Sequence, residues 1–187
     1  MIGRLPTTLE VNGTKLNIRT DFRDCLLILQ AFSDTELNDL EKQIILLKCL
    51  YKDFEKITEE NYTEAVEKAI WFLNCGDTIS KPYINKPLYS WEQDEQMIFS
   101  GINKVAGMEI RNIEYLHFWT FIGYFNEIGE GMFQSVVSIR YKKNHRKKLE
   151  SYEREFYRDN KDIIDLKKKR TSSEMEQLQV LDELLGQ

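Results

Sequence analysis

Leu9-Glu10-Val11-Asn12-Gly13-Thr14-Lys15-Leu16-Asn17-Ile18, continuing through Arg19-Thr20-Asp21-Phe22-Arg23-Asp24-Cys25-Leu26-Leu27-Ile28-Leu29, is the stretch that decides the fold, because the apolar period changes inside it. Up to Ile18 apolar and polar residues alternate around Asn-Gly, the pair that supplies two positive-φ residues to a type I′ turn, so a β-hairpin over about residues 9–18 is expected. A lone two-stranded hairpin is marginal and must pack on something; the nearest candidate is the helix that follows. After Thr20 the period lengthens. Phe22, Cys25, Leu26 and Leu29 fall at i, i+3, i+4 and i+7, which predicts a helix with Asp21 favouring its first turn.

Downstream the helical period persists. Ser33-Asp34-Thr35-Glu36 has the form of a capping box and opens a second helix expected to turn Leu37, Leu40, Ile44, Leu47 and Leu50 inward. A third, near Asn61 to Asn74, carries Ala65, Ala69, Phe72 and Leu73 and ends before Gly76. Pro82 and Pro87 mark residues 77–90 as an irregular connector, and Ser90-Trp91-Glu92-Gln93 opens a helix with Met97, Ile98, Ile102 and Val105 that stops at Gly107. Ile113 to Glu127 is the most aromatic stretch, with Tyr115, Phe118, either Phe121 or Ile122, and Phe125 on an expected core stripe and Trp119 between faces. Phe133 begins a helix that runs into a basic block. The fold expected is mainly α, a helical bundle with an N-terminal β-hairpin and a C-terminal amphipathic helix: a core at 1–139, a charged helical extension at 140–170 and a final helix at 171–187.

With 187 residues the chain is long enough for a sizeable core, and its mean hydropathy of −0.49 comes without any run approaching the ~18 apolar residues of a membrane span. The first residues lack the layout of a secretory signal, so the protein is expected to remain where it is made. Cys25, Cys49 and Cys75 have no close pair and fall in apolar helical patterns, the setting of small buried hydrophobes in a reducing compartment.

Chemistry is sparse. No nucleotide-binding, nucleophile-elbow or zinc-protease motif occurs, and His117 and His145 sit in different segments, so no catalytic, metal or cofactor residues are expected. Glu92, Asp94 and Glu95 form a small carboxylate cluster that a position in a first helical turn explains. Charge, by contrast, is organised. Residues 1–139 hold 13 Lys and Arg against 21 Asp and Glu, residues 140–170 hold 13 against 6, and residues 171–187 hold none against 4. The basic block centres on Arg140, Lys142, Lys143, Arg146, Lys147 and Lys148; on a continuous helix Arg140, Lys143 and Lys147 make one row. Such a row suits phosphates, a solvated face or an acidic partner, and the pI near 5.3 weighs against a dedicated nucleic-acid binder. The final segment places Met175, Leu178, Leu181 and Leu185 on one apolar stripe, fit to pack on the bundle or to enter a partner's groove.

Three ordered segments carry a family resemblance. They are Leu5-Pro6 with the hairpin and Asn17-Ile18-Arg19-Thr20-Asp21-Phe22-Arg23; Tyr89-Ser90-Trp91-Glu92-Gln93-Asp94 with Ile98-Phe99 and Gly107-Met108-Glu109-Ile110; and Leu116-His117-Phe118-Trp119-Thr120-Phe121 with Ser138-Ile139-Arg140. Together they resemble a family of tailed-phage proteins from viruses and prophages of Gram-positive bacteria, encoded between the tail tube subunit and the tape-measure protein. Phe118 stands where the family has the first of two tryptophans. The resemblance implies a non-enzymatic tail-assembly chaperone of the host bacterial cytoplasm, without cofactor. Its implied partners are the tape-measure protein, the tail tube protein or a second assembly chaperone, and further copies of itself. Two other classes remain open: a nucleic-acid-binding or regulatory phage protein using residues 140–148, and a structural component of the finished tail.

Overall fold

The computed structural model describes residues 3–77 and 86–167. It is mainly helical. A two-stranded antiparallel hairpin, β1 (Thr8–Val11) and β2 (Thr14–Asn17), precedes eight helices among the described residues. Asn12 and Gly13 make the turn with φ of 47° and 73°, and Leu9 faces Leu16 across the pair. Both are buried, with Val11 and Ile18.

The hairpin does not lean chiefly on α1 (Phe22–Phe32), the helix that follows it. Its neighbour is α3 (Tyr62–Leu73), whose Glu64 carboxylate accepts from the Asn12 backbone N–H at 2.8 Å. β2 is also tied to the end of α2 (Asp39–Leu50). Lys52 N–H donates to Asn17, Arg19 N–H donates to Leu50, and the Arg19 guanidinium donates to the carbonyls of Lys48, Cys49 and Tyr51. A cation there satisfies the carbonyls that a helix C-terminus leaves without partners.

Three helix starts differ from the sequence expectation, and one of them is that of α4 (Glu95–Ala106), expected at Ser90 but preceded by turns over residues 91–94. Ser33 closes α1 instead of opening α2, and the capping box is Asn38 with Glu41, bonds of 3.0 and 2.8 Å. α2 packs back on α1, so the chain needs residues 33–38 to reverse direction. The later start turns Leu46, Leu47 and Leu50 inward and leaves Leu40 60% exposed. The aromatic stretch is not helical from Ile113 either. Residues 113–117 bend and then pair with the chain before α1, with Phe22 N–H donating to the Leu116 carbonyl and Phe118 N–H to that of Thr20, and α5 spans Phe118–Asn126. Tyr115 is accordingly 54% exposed, its hydroxyl 2.7 Å from that of Thr20.

The main core is aromatic at its centre. Phe22 stacks on Phe121 with centroids 4.7 Å apart, and Phe99 of α4 (Glu95–Ala106) tilts against both. Fully burying such a ring is worth about 1.5–3 kcal/mol. A smaller cluster of Val136, Ile139 and Ile164 joins α6 (Met132–Asn144) to the last described segment, which holds α7 (Ser151–Asp159) and the short α8 (Lys161–Ile164). That segment folds back over α6, and the fold-back sets where the basic residues lie.

Candidate interaction surface

Arg140 was the first member of the expected basic surface, and the structure puts it inside. It is 4% exposed because its position on α6 follows Phe133, Val136 and Ile139 on the buried face. Its guanidinium bonds both Asp94 oxygens, at 2.5 and 2.9 Å. It also donates to the carbonyls of Leu88, Ile163 and Ile164. A buried guanidinium needs this many acceptors, since it carries five donors and none can be discharged. Asp94, 1% exposed, accepts in addition from Ser90 N–H at 2.9 Å. So Asp94 serves as Arg140's counter-ion, while its two neighbours Glu92 and Glu95 remain at the surface.

Lys142 and Lys143 are paired as well. Lys142 donates to both oxygens of Glu153 at 2.6 and 2.8 Å; the bond holds the Glu153 carboxyl below its ordinary range and raises the Lys142 ammonium. Lys143 bonds Asp165 and lies 3.7 Å from the Tyr157 ring centre. Burial pushes Asp165 up, but its bonds from Lys143 and Tyr157 outweigh it, and the carboxyl sits low.

The expected row of Arg140, Lys143 and Lys147 does not form. α6 ends at Asn144 and Arg146 takes φ +53°, so the helix cannot carry the block onward. Arg146, Lys147 and Lys148 are exposed in the turn that follows, with the Lys147 ammonium 4.8 Å from the Tyr141 ring centre. Met175, Leu178, Leu181 and Leu185 lie outside the described residues, as does part of the 77–90 connector.

The other chemistry-bearing residues have structural partners. His117 is buried at the N-terminus of α5, where Nδ1 accepts from Trp119 N–H and Nε2 lies 3.0 Å from the Pro6 carbonyl. An accepting Nδ1 leaves the proton on Nε2, which donates to Pro6. His145 caps its own helix end through the Tyr141 carbonyl. Cys25 is buried and its thiol pushed well up by desolvation; Cys75 is pushed up to about 11 by the same cause. Among the described residues no His, Cys, Asp and Glu side chains gather into a possible metal site, no buried side-chain polar atom lacks a partner, and no helix is long and apolar enough to cross a membrane.

What remains is surface shape. α6 and α7 flank a groove of about 720 Å³ whose charged lining is acidic, and a second groove of about 610 Å³ lies between α4 and the α5–α6 connection; the two share Glu130 and Gly131.

The family model described as Bacteriophage Gp15 protein matches residues 1–166. The chain belongs to that family. No curated protein and no solved structure matches it. The matched Gp15 region includes the hairpin, both core clusters and the Arg140–Asp94 pair, and it stops near the end of the described structure.

Along the sequence Glu150, Glu153, Glu155 and Asp159 can pair with lysines one turn earlier; the structure instead joins Glu153 to Lys142 from a separate helix and joins Asp94 to Arg140, a pair that spacing does not name. A signal was present: Arg140 shares the apolar phase of Phe133, Val136 and Ile139, and an arginine in that phase calls for a buried carboxylate.

Proposed function

We propose that this Gp15-family protein is a non-enzymatic tail-assembly chaperone that binds the tape-measure protein in the host bacterial cytoplasm. The supporting observation is a phage-family chain whose buried and half-buried ionisable groups are engaged in its own fold. Arg140, Asp94, Lys142, Glu153 and His117 each hold a structural bond, which leaves grooves and exposed charge for a partner. A tape-measure protein is a long amphipathic chain that aggregates unless its apolar face is covered before the tube assembles. Many weak contacts by a small helical protein suffice for that, since tethering along one chain multiplies the effect of each.

The experiment is co-expression with the tape-measure protein of the same genome. The reading expects the tape measure to move from the insoluble to the soluble fraction when this chain is present. A tape measure that stays insoluble, beside a soluble and folded Gp15-family protein, counts against it.

A further inference from the structure

The groove between α6 and α7 has a charge pattern that selects its occupant. Among the described residues no lysine or arginine lines it, whereas Glu130, Glu153, Glu155 and Asp159 do. Glu153 is turned toward Lys142 and is 4% exposed, so it adds little charge to the surface. Glu155 and Asp159 share the single exposed Arg158, and the rim is left net negative. Phe156 forms an apolar wall, Ser138 keeps the α6 side low, and Tyr152 stands at the mouth 71% exposed. A shallow trough between two helices, small on one side and aromatic on the other, fits the apolar face of a third helix. Exposed tyrosine is a frequent anchor in such contacts.

The chain's own last segment is a poor occupant. Residues 171–187 contain four carboxylates and no Lys or Arg, so like charges would face each other across the rim. We propose that the α6–α7 groove binds a basic amphipathic helix of a partner protein, with apolar side chains against Tyr152 and Phe156 and Lys or Arg facing Glu130, Glu155 and Asp159. The chaperone reading supplies only the identity of that helix, a segment of the tape-measure protein; its chemistry follows from the groove.

Two synthetic amphipathic peptides test this on the full chain by fluorescence anisotropy, one of leucine and lysine and one of leucine and glutamate. The leucine–lysine peptide binds at least about tenfold tighter, and high salt weakens it because the rim is exposed. Ser138→Trp, which fills the trough, and the double change Glu155→Lys with Asp159→Lys each reduce that affinity about tenfold or more, with the melting temperature checked for each variant. Equal binding of both peptides, or unchanged binding in both folded variants, overturns the proposal. So does a dimer of the chain that Ser138→Trp abolishes, because a second copy would then be the occupant. Tape-measure binding that survives both variants removes the groove and leaves the chaperone reading. The peptide contrast without tape-measure binding keeps the groove and removes the chaperone.

Discussion

The guanidinium of Arg140 and the carboxylate of Asp94, 46 residues apart in the chain, meet face to face with bonds of 2.5 and 2.9 Å and almost no solvent access. This pair fastens the turn before α4 to α6, and through the carbonyls of Ile163 and Ile164 it also holds the last described segment in place. Removing one partner leaves the other charge buried. Asp94→Asn and Arg140→Met are each expected to cost about 3–5 kcal/mol of unfolding free energy, measured by urea titration. The double variant should recover little, because Leu88, Ile163 and Ile164 would still lose their donor and the Ser90 N–H would lose its carboxylate. Full recovery in the double variant would show that the pair acts alone.

Lys142 and Glu153 make stability depend on pH at both ends. Glu153 sits below its ordinary value of 4.5, so its contribution is in place above that value and is lost as pH falls through the folded-state value. Lys142 sits above 10.5, so its contribution is complete below that value and is lost as pH rises through the folded-state value. The melting-temperature difference between wild type and Glu153→Gln should be constant between those limits and shrink outside them. A difference that does not change with pH would mean the glutamine costs packing alone.

His117 joins α5 to the N-terminal segment through one ring. His117→Ala removes the N-cap, worth about 1 kcal/mol, and leaves the Pro6 carbonyl without its donor, worth about 1–3 kcal/mol more. His117→Asn can restore the cap but is too short to reach Pro6, so it should fall between wild type and alanine in chemical denaturation. Equal stability of the asparagine and alanine variants would remove the capping contribution.

Legibility followed sequence distance. Asn12-Gly13 fixes a turn among adjacent residues, and the hairpin lies where the alternation puts it. The start of α2 was ambiguous because 33–36 and 38–41 both have capping-box form, and only packing on α1 selects the second. Ile113 to His117 has helical spacing, yet its backbone pairs with residues 20–22, a contact spanning more than 90 positions. The basic block misled for the same reason. Asp94, Glu153 and Asp165 reach Arg140, Lys142 and Lys143 from other segments, and residue spacing along α6 does not say which carboxylates they are.

Those pairings bear on nucleic acid. With Arg140 buried and Lys142 and Lys143 engaged, the exposed cations of the block are Arg146, Lys147 and Lys148, too few for a phosphate stripe. Gel-shift assays at physiological salt should show no retention on duplex DNA, and Lys147→Ala with Lys148→Ala should change nothing. Salt-sensitive retention lost in that double variant would restore the nucleic-acid reading.

The chain ratio of a complex co-purified with the tape-measure protein tests the proposed chaperone role most directly. Affinity capture through this protein, followed by light scattering on the eluted complex, should give many copies per tape measure. Capture of no tape measure, by a protein that is folded and monodisperse, would contradict the account.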